Sequence, residues 1–362
     1  GLAMSNPLAG AIIAATVAPE RRGQAVGIFA SFQAAGQLTG PSFGGIILDL
    51  LSWRAIFVSY LAIGIVLCIA QQFSLKGLEQ RRHEAFDYPG AVLLLVGYPS
   101  LLIALSVGPG YGWGSPLTLA WFAVAGVGLA LFCARELRFD KPIFHFRFFR
   151  SPTFCVAMFT LVVASFVQNP ITLFAPLYLQ KVLSVDPLTV GFVMMGLPLS
   201  TLIAGPIGGS LADRHDPRLV AGCGVVVTLV AVFVYSRLGI DSPLFLVVLA
   251  LVLVGLGGSL FRPANQVSVY AQTEARDFGA LAAMLVLIQS LAGTLGTTIA
   301  VAANETRAAG DDPASFVAGQ QFTFTALLPL LLLSVAVSFL GGSRWLGRRT
   351  ARPAPEPTST AP

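Results

Sequence analysis

The sequence has 362 residues, of which 55% are hydrophobic and 11% are charged. A soluble domain normally carries about 25% charged residues, so a water-exposed globular surface is excluded. The net charge of +5 does not indicate a nucleic-acid partner, because the charges lie in short strips between long apolar runs. In lipid every backbone N–H and C=O group needs an internal partner, so these runs predict membrane-spanning helices.

Apolar segments follow one another along the whole chain, separated by charged or Pro/Gly-rich breaks. The first is short and starts with the sequence itself, so we interpret it as cut. Residues 343–362 are basic and then rich in Pro, Ala and Thr, which predicts a disordered tail. The fold class is therefore an all-α polytopic membrane protein with about eleven transmembrane helices. The segments are 2–18, 24–48, 54–73, 88–108, 116–134, 152–180, 187–211, 219–238, 243–272, 278–303 and 321–342.

The basic residues are distributed unevenly between alternate loops. Of the 22 Lys and Arg residues, 17 lie in one set of loops and four in the other, while Arg262 falls inside a span. Cytoplasmic loops carry the excess of Lys and Arg. We therefore expect a multi-pass protein of the cell membrane with a cytoplasmic C-terminus.

An internal repeat relates two parts of the chain. When the sequence is shifted by 256 positions, residues 7–40 align with 263–296 without a gap. Each copy has a helix end, a short charged loop and a Gly/Ala-rich helix with one Gln. Two similar halves with a substrate site between them near the bilayer midplane are typical of secondary transporters. The matched pairs are Pro7 and Pro263, Gly23 and Gly279, Gln33 and Gln289, and Gly40 and Gly296.

The repeat also predicts the domain organisation. The fourth span of the C-terminal half matches the first segment, so we expect three further spans before Gly1 and fourteen spans in a complete protein. The predicted units are the remainder of an N-terminal six-helix half at 1–73, two linker spans at 74–151, a C-terminal six-helix half at 152–342, and the tail at 343–362.

The second segment carries small residues on one helix face, which allow another backbone to approach closely. Ordinary close helix packing is one interpretation of this face. Its spacing, G-x8-G-x3-G-P-x2-G-G, closely resembles the antiporter motif of the major facilitator superfamily. The residues that match are Gly27, Gly36, Gly40, Pro41, Gly44 and Gly45.

A second stretch resembles the fourteen-span drug–proton antiporter branch of that superfamily, the EmrB/QacA type. It reads PLYLQ at 176–180 and GPIGGSLADR at 205–214, which resembles the family's gating loop. The chain departs from the pattern with Asp216 and Pro217, where Gly and Arg are usual. From the residues alone, we expect the Asp213 carboxylate to accept bonds from the amides of the following helix. Arg214 is expected to pair with a neighbouring helix, and a solvated turn is the alternative. The gating-loop residues are Gly209, Asp213, Arg214 and Arg218.

Polar side chains inside the predicted spans are candidates for a substrate cavity, because they are costly in lipid. The two prolines at 170 and 176 indicate that the segment 152–180 is broken near the midplane. For each amide, an interhelical hydrogen bond is the alternative to cavity lining. For Arg262, the alternative is a helix that ends earlier. The candidates are Gln33, Gln37, Gln168, Asn169, Arg262 and Gln289.

The resemblance implies an exporter of small organic compounds that exchanges them for protons by alternating access. The bilayer, an organic substrate and protons are then the partners, with the proton gradient as energy source and no cofactor, metal, nucleic acid or catalytic residue. A periplasmic adaptor is left undecided. No Asp or Glu lies deep in a segment, and the family usually holds its proton-linked residues in the first and fourth spans. The alternative is a non-transporting membrane partner or an inactive fragment of the fold.

Overall fold

The computed structural model describes residues 2–74, 87–138, 146–273, 277–305, 307 and 312–340. Within these ranges the chain is helical and contains no strand, which confirms the predicted fold class. Two short 3-10 helices, Pro19–Arg21 and Phe146–Arg150, precede longer helices. The α-helices are α1 (Leu2–Thr16), α2 (Arg22–Leu50), α3 (Trp53–Ser74), α4 (Tyr88–Tyr111), α5 (Pro116–Glu136), α6 (Pro152–Lys181), α7 (Pro187–Met194), α8 (Gly196–Arg214), α9 (Pro217–Ser236), α10 (Leu244–Tyr270), α11 (Phe278–Glu305) and α12 (Pro313–Leu340).

Each predicted segment corresponds to one of these helices, except that 187–211 is formed by α7 and α8 together. The predicted start of the last segment, 321, is wrong, because α12 begins at Pro313. The Asp312 carboxylate accepts a hydrogen bond from the Ser315 amide and so caps this earlier start. The tail at 343–362 lies outside the described residues.

Nine helical spans in the described ranges are long and apolar enough to cross a membrane, with α7 and α8 counted as one. The helices α1 and α2 are not among them. The 15 residues of α1 extend only about 22 Å, less than the hydrocarbon thickness of about 30 Å. The chain is thus a multi-pass membrane protein.

Helix starts follow local sequence signals. Asp87, Ser115 and Asp186 each cap a helix by accepting a hydrogen bond from the backbone amide three residues later. A proline occupies the first or second position of each of these helices. Proline lacks an N–H group, and the first helical amides have no intrahelical partner in any case.

The buried core lies within the second half of the chain, where α6, α9, α10, α11 and α12 pack together. By contrast, the apolar side chains of α3 are exposed along its length, and none of its most apolar window is buried. Such a surface is typical of a helix that faces lipid or further helices.

The helix α6 is continuous, so the prediction of a break near Pro170 is wrong. Pro170 cannot donate to the carbonyl of Phe166. A Cβ atom added to Gly296 of α11 would lie 2.0 Å from that carbonyl oxygen. The close approach of α11 covers the freed carbonyl with a backbone CH2 group, which reduces the need for the helix to open.

The hairpin of α4 and α5 closes around two glycines. A Cβ atom on Gly97 would lie 2.9 Å from the Leu129 nitrogen, and one on Gly128 would lie 2.9 Å from the Gly97 Cα. The hairpin contacts α11, where the Thr298 hydroxyl donates to the Leu105 carbonyl at 3.5 Å. Pro109 leaves that carbonyl without its usual helical donor, so the contact satisfies it.

Candidate functional site

A polar cavity lies within the packed helices of the second half. Its volume is about 20 Å³, which suffices for about one water molecule. Side chains from α6, α9, α10, α11 and α12 surround it. The lining residues are Leu161, Ala164, Ser165, Gln168, Val225, Thr228, Val254, Gly258, Phe261, Arg262, Gln289 and Leu331.

Three of the predicted cavity residues meet here, namely Gln168, Arg262 and Gln289. The Arg262 guanidinium donates from Nη2 to Gln168 Oε1 at 3.1 Å. Arg262 lies inside the continuous helix α10, eight residues before its end at Tyr270, so the alternative of an earlier helix end is wrong. Eight residues correspond to about 12 Å along a helix.

The other predicted cavity residues lie elsewhere. Asn169 is exposed and donates to the Ser165 carbonyl at 3.0 Å, while its amide packs on Gly293 of α11. Gln33 is half-buried and Gln37 is exposed on α2, and neither lines the cavity. Whether any of these amides touches a substrate stays a prediction.

The helices α2 and α8 touch backbone to backbone at one end. A Cβ atom on Gly27 would lie 2.1 Å from the Gly205 carbonyl oxygen, and one on Gly209 would lie 2.2 Å from the Gly23 carbonyl oxygen. Any side chain at these positions would therefore separate the helices. Gly23 and Gly205 were not among the predicted site residues. The sequence signal that could have identified them is spacing. Gly23 lies four residues before Gly27, and Gly205 lies four residues before Gly209.

Asp213 completes this contact. Its Oδ1 accepts from the Gly23 amide at 2.7 Å, and its Oδ2 accepts from the Gln24 amide at 2.8 Å. These amides belong to the first turn of α2, where a carboxylate is favoured by the helix dipole. The prediction that Asp213 caps the helix after its own loop is wrong. Asp216 caps α9 instead, by accepting from the Arg218 amide at 3.0 Å.

This role of Asp216 accounts for the departure from the family pattern in the loop. Pro217 occupies the start of α9, directly after its capping residue. The Arg218 side chain donates to the Thr153 hydroxyl at the start of α6. Arg214 is exposed, and no hydrogen bond or ion pair joins it to another described residue, so its predicted pairing with a neighbouring helix is absent here.

A cation–π contact lies at the same end of the molecule. The Arg22 guanidinium carbon is 5.3 Å from the centre of the Phe278 ring. These residues begin α2 and α11 and are separated by 256 positions, the shift of the internal repeat. Phe278 also stacks edge-to-face on Tyr270, with ring centres 5.2 Å apart. The two repeat-related helices therefore meet at their first residues.

Two glycines in the middle of α2 lack a close neighbour in the described part of the chain. A Cβ atom on Gly36 or Gly40 would meet no atom within 4 Å among the described residues. The expected close packing of the glycine face of α2 is seen at Gly27, whereas at Gly36 and Gly40 no described residue supplies a partner and close packing there stays a prediction. Pro41, Gly44 and Gly45 are helical, but their surroundings lie outside the described residues.

A buried ion pair holds the end of the α4–α5 hairpin. The Arg135 Nε donates to Asp87 Oδ1 at 2.7 Å, and the Asp87 side chain is fully buried. Burial alone raises the pKa of the Asp87 carboxyl. The Gly90 amide and the Arg135 guanidinium outweigh it and bring the pKa below its usual value.

A bundle of apolar helices that encloses a polar cavity, with a backbone-to-backbone contact between α2 and α8, defines a class of polytopic membrane protein. The sequence model of the Major Facilitator Superfamily matches the chain at residues 1–167 and again at 153–361. The chain therefore belongs to the major facilitator superfamily of membrane transporters.

Several curated proteins are similar to the chain. The riboflavin transporter RibZ of Clostridioides difficile is 29% identical over 76% of the chain and 59% of its own length. The multidrug transporter protein MdtP of Bacillus subtilis is 26% identical over 81% of the chain and 54% of its own length. The tetracenomycin C resistance and export protein of Streptomyces glaucescens is 26% identical over 82% of the chain and 55% of its own length. The chain thus spans little more than half the length of these relatives.

Proposed function

We propose that the chain is part of an exporter that moves small organic compounds out of the cell in exchange for protons. The observation that carries the proposal is the unequal contact of α2 with α8. The helices meet backbone to backbone at Gly27 and Gly205, whereas further along α2 no atom of the described residues lies within 4 Å of a Cβ placed on Gly40. A carrier that works by alternating access needs such an interface, closed at one end and able to close at the other.

The closed end carries the larger number of basic residues. Arg21, Arg22, Arg214 and Arg218 all lie beside the contact that Asp213 makes. Under the positive-inside rule this end is cytoplasmic, and the C-terminus is then cytoplasmic as well. The conformation is in that case closed to the cytoplasm, which is the state from which an exporter releases its cargo outside.

The names of the relatives support export of organic compounds. One is named for tetracenomycin C resistance and export, and others are named as multidrug transporters or as a lincomycin resistance protein. We extend this activity to the present chain. We also assign the chain to the fourteen-span EmrB/QacA branch of the superfamily. Its units are then the four predicted ones, with the substrate cavity shared between the two halves.

Proton coupling requires a group that titrates within the membrane. Among the described helices, the carboxylates whose contacts are known lie at helix ends, as Asp87, Asp186 and Asp213 do. We therefore propose that the proton-binding carboxylate belongs to spans that precede Gly1 in a longer protein. The proton gradient would be the energy source, without a cofactor.

The test is uptake of a fluorescent dye into inverted membrane vesicles that contain the full-length protein. An imposed pH gradient should drive dye accumulation, and a protonophore should abolish it. The 362-residue chain reconstituted alone should show no proton-coupled movement. Dye transport that is independent of the pH gradient would contradict antiport, and absence of transport for a panel of organic dyes would contradict export.

A further inference from the structure

Arg262 lines the polar cavity, and most of its hydrogen-bonding capacity is unused within the described part of the chain. A guanidinium group has five N–H donors. In the described part of the chain, one hydrogen bond is made, from Nη2 to Gln168 Oε1. The side chain is exposed along one side of the cavity, so the remaining donors are accessible from that side.

The described residues that line the cavity with Arg262 carry no charge. Every other residue that lines the cavity is apolar or carries an uncharged hydroxyl or amide group. No carboxylate of the described residues forms an ion pair with Arg262. The nearest acceptor, Gln168, supplies a dipole and no charge.

An unpaired cation is unusual at this depth of a membrane protein. Placing an Arg at the centre of a membrane helix costs about 2.5–3.5 kcal/mol even on insertion-based scales, and such residues pair or mark a substrate path. Arg is also the side chain whose planar fork matches a carboxylate in two parallel hydrogen bonds. The group that fits this site is therefore an anion.

We propose that Arg262 binds the anionic group of the transported compound, so that the cargo class includes organic acids such as carboxylates and phenolates. This inference rests on the proposed export function. Gln168 orients the guanidinium, and Gln289 from α11 faces the same cavity. A cavity of about 20 Å³ admits only an atom or two of the ligand, so the body of the cargo lies on the exposed side of Arg262.

Export of two xanthene dyes of similar size and opposite charge tests the proposal. Fluorescein is an anion, and rhodamine 123 is a cation. In the full-length protein, Arg262→Gln should lower fluorescein export roughly tenfold or more, because a charge-assisted hydrogen-bonding pair is lost, and should leave rhodamine 123 export unchanged or higher. Arg262→Lys should keep part of the fluorescein export.

Arg237→Gln is the matched control, because it also removes one exposed cation. This cation lies outside the cavity, at the end of α9, where Arg237 stacks on Phe233 at 5.1 Å. It should leave both dyes unaffected. An equal loss of both dyes in Arg262→Gln would overturn the proposal, since it would place a protein carboxylate or a structural contact at Arg262. Unchanged fluorescein export would overturn it as well.

Equilibrium binding of fluorescein to the purified protein, followed by fluorescence anisotropy, separates this proposal from the export function. Binding that Arg262→Gln weakens about tenfold, in a protein that transports neither dye, would support the anion site and contradict export. Rhodamine 123 export together with fluorescein binding that does not depend on Arg262 would support export and contradict the anion site.

Discussion

The Asp213 carboxylate at the end of α8 accepts hydrogen bonds from the Gly23 and Gln24 amides at the start of α2, although 190 positions separate Asp213 from Gly23. The bond joins the two parts of the chain that the repeat assigns to different halves. It also lies beside the glycines that let the helices touch. The carboxylate thus stabilises the closed end both through hydrogen bonds and through the dipole of α2.

Asp213→Asn should weaken this closed end. The amide side chain keeps one acceptor but loses the charge, and hydrogen bonds to charged groups contribute about 1.5–3 kcal/mol. We expect the ratio of closed to open molecules to fall by roughly tenfold. Distances between spin labels on the α2 and α8 ends should report a wider distribution. Asp216→Asn is the control, because Asp216 caps only its own helix, and an equal effect there would contradict the assignment.

Gly27→Val should separate α2 from α8, because its side chain would overlap the Gly205 backbone. We expect loss of export and, for a buried overpacked contact, destabilisation by about 1–3 kcal/mol. The separation of the two helices is measurable as weaker disulfide cross-linking between cysteines placed on α2 and α8. Gly36→Ala is the matched control, since Gly36 is open and its repeat-related position holds Ala292. Efficient cross-linking in Gly27→Val would contradict the close contact.

Two fully buried tyrosines should respond differently to loss of the hydroxyl group. The Tyr178 hydroxyl donates to the Gly239 carbonyl at 2.6 Å, whereas the Tyr235 hydroxyl has no partner within the described residues. Tyr178→Phe should lower the free energy of unfolding by about 1 kcal/mol, and Tyr235→Phe should be neutral or stabilising. Thermal unfolding in detergent measures both. A larger loss for Tyr235→Phe would indicate that its hydroxyl is satisfied, for example by a bound water molecule.

The Asp87–Arg135 pair should make stability depend on pH. Because the pKa of Asp87 is lowered in the folded protein, its contribution is present above the unfolded value of about 3.9. It is lost as the pH falls through the folded value. The unfolding temperatures of wild type and Asp87→Asn should therefore differ at neutral pH and converge in strongly acidic buffer. A difference that persists there would point to packing, not charge.

Membrane orientation is open to a direct test. A cysteine in the loop between α4 and α5, for instance at Gly114, should react with an impermeant thiol reagent added outside the cell. A cysteine in the basic stretch 76–86 should react only after permeabilisation. The expectation follows from the 17 basic residues on one set of loops. The reverse pattern would invert the orientation and place the closed end outside.

The sequence by itself determined that this protein is a bundle of membrane helices and where most of them lie. Long apolar runs in lipid must satisfy their backbone hydrogen bonds internally and therefore form helices, so composition is enough to predict them. Residues such as Asp87 and Asp186 fixed helix starts through local capping, which also needs no tertiary contact. The repeat indicated that α2 and α11 are equivalent, and both begin at equivalent positions.

Only the tertiary structure decided which polar groups meet. Asp213 directly precedes the loop before α9, yet its hydrogen-bond donors are amides of α2, far away in the chain. The glycines of α2 and α8 make this possible, because they allow the two backbones to approach. Gln168 and Asn169 are sequence neighbours, but they point to different sides of α6, so one bonds to Arg262 and the other to its own helix. Gly40 and Gly296 occupy equivalent repeat positions, but among the described residues only Gly296 has an atom within 4 Å of an added Cβ. Such contacts depend on the rotation of each helix about its axis, which packing of the whole bundle determines.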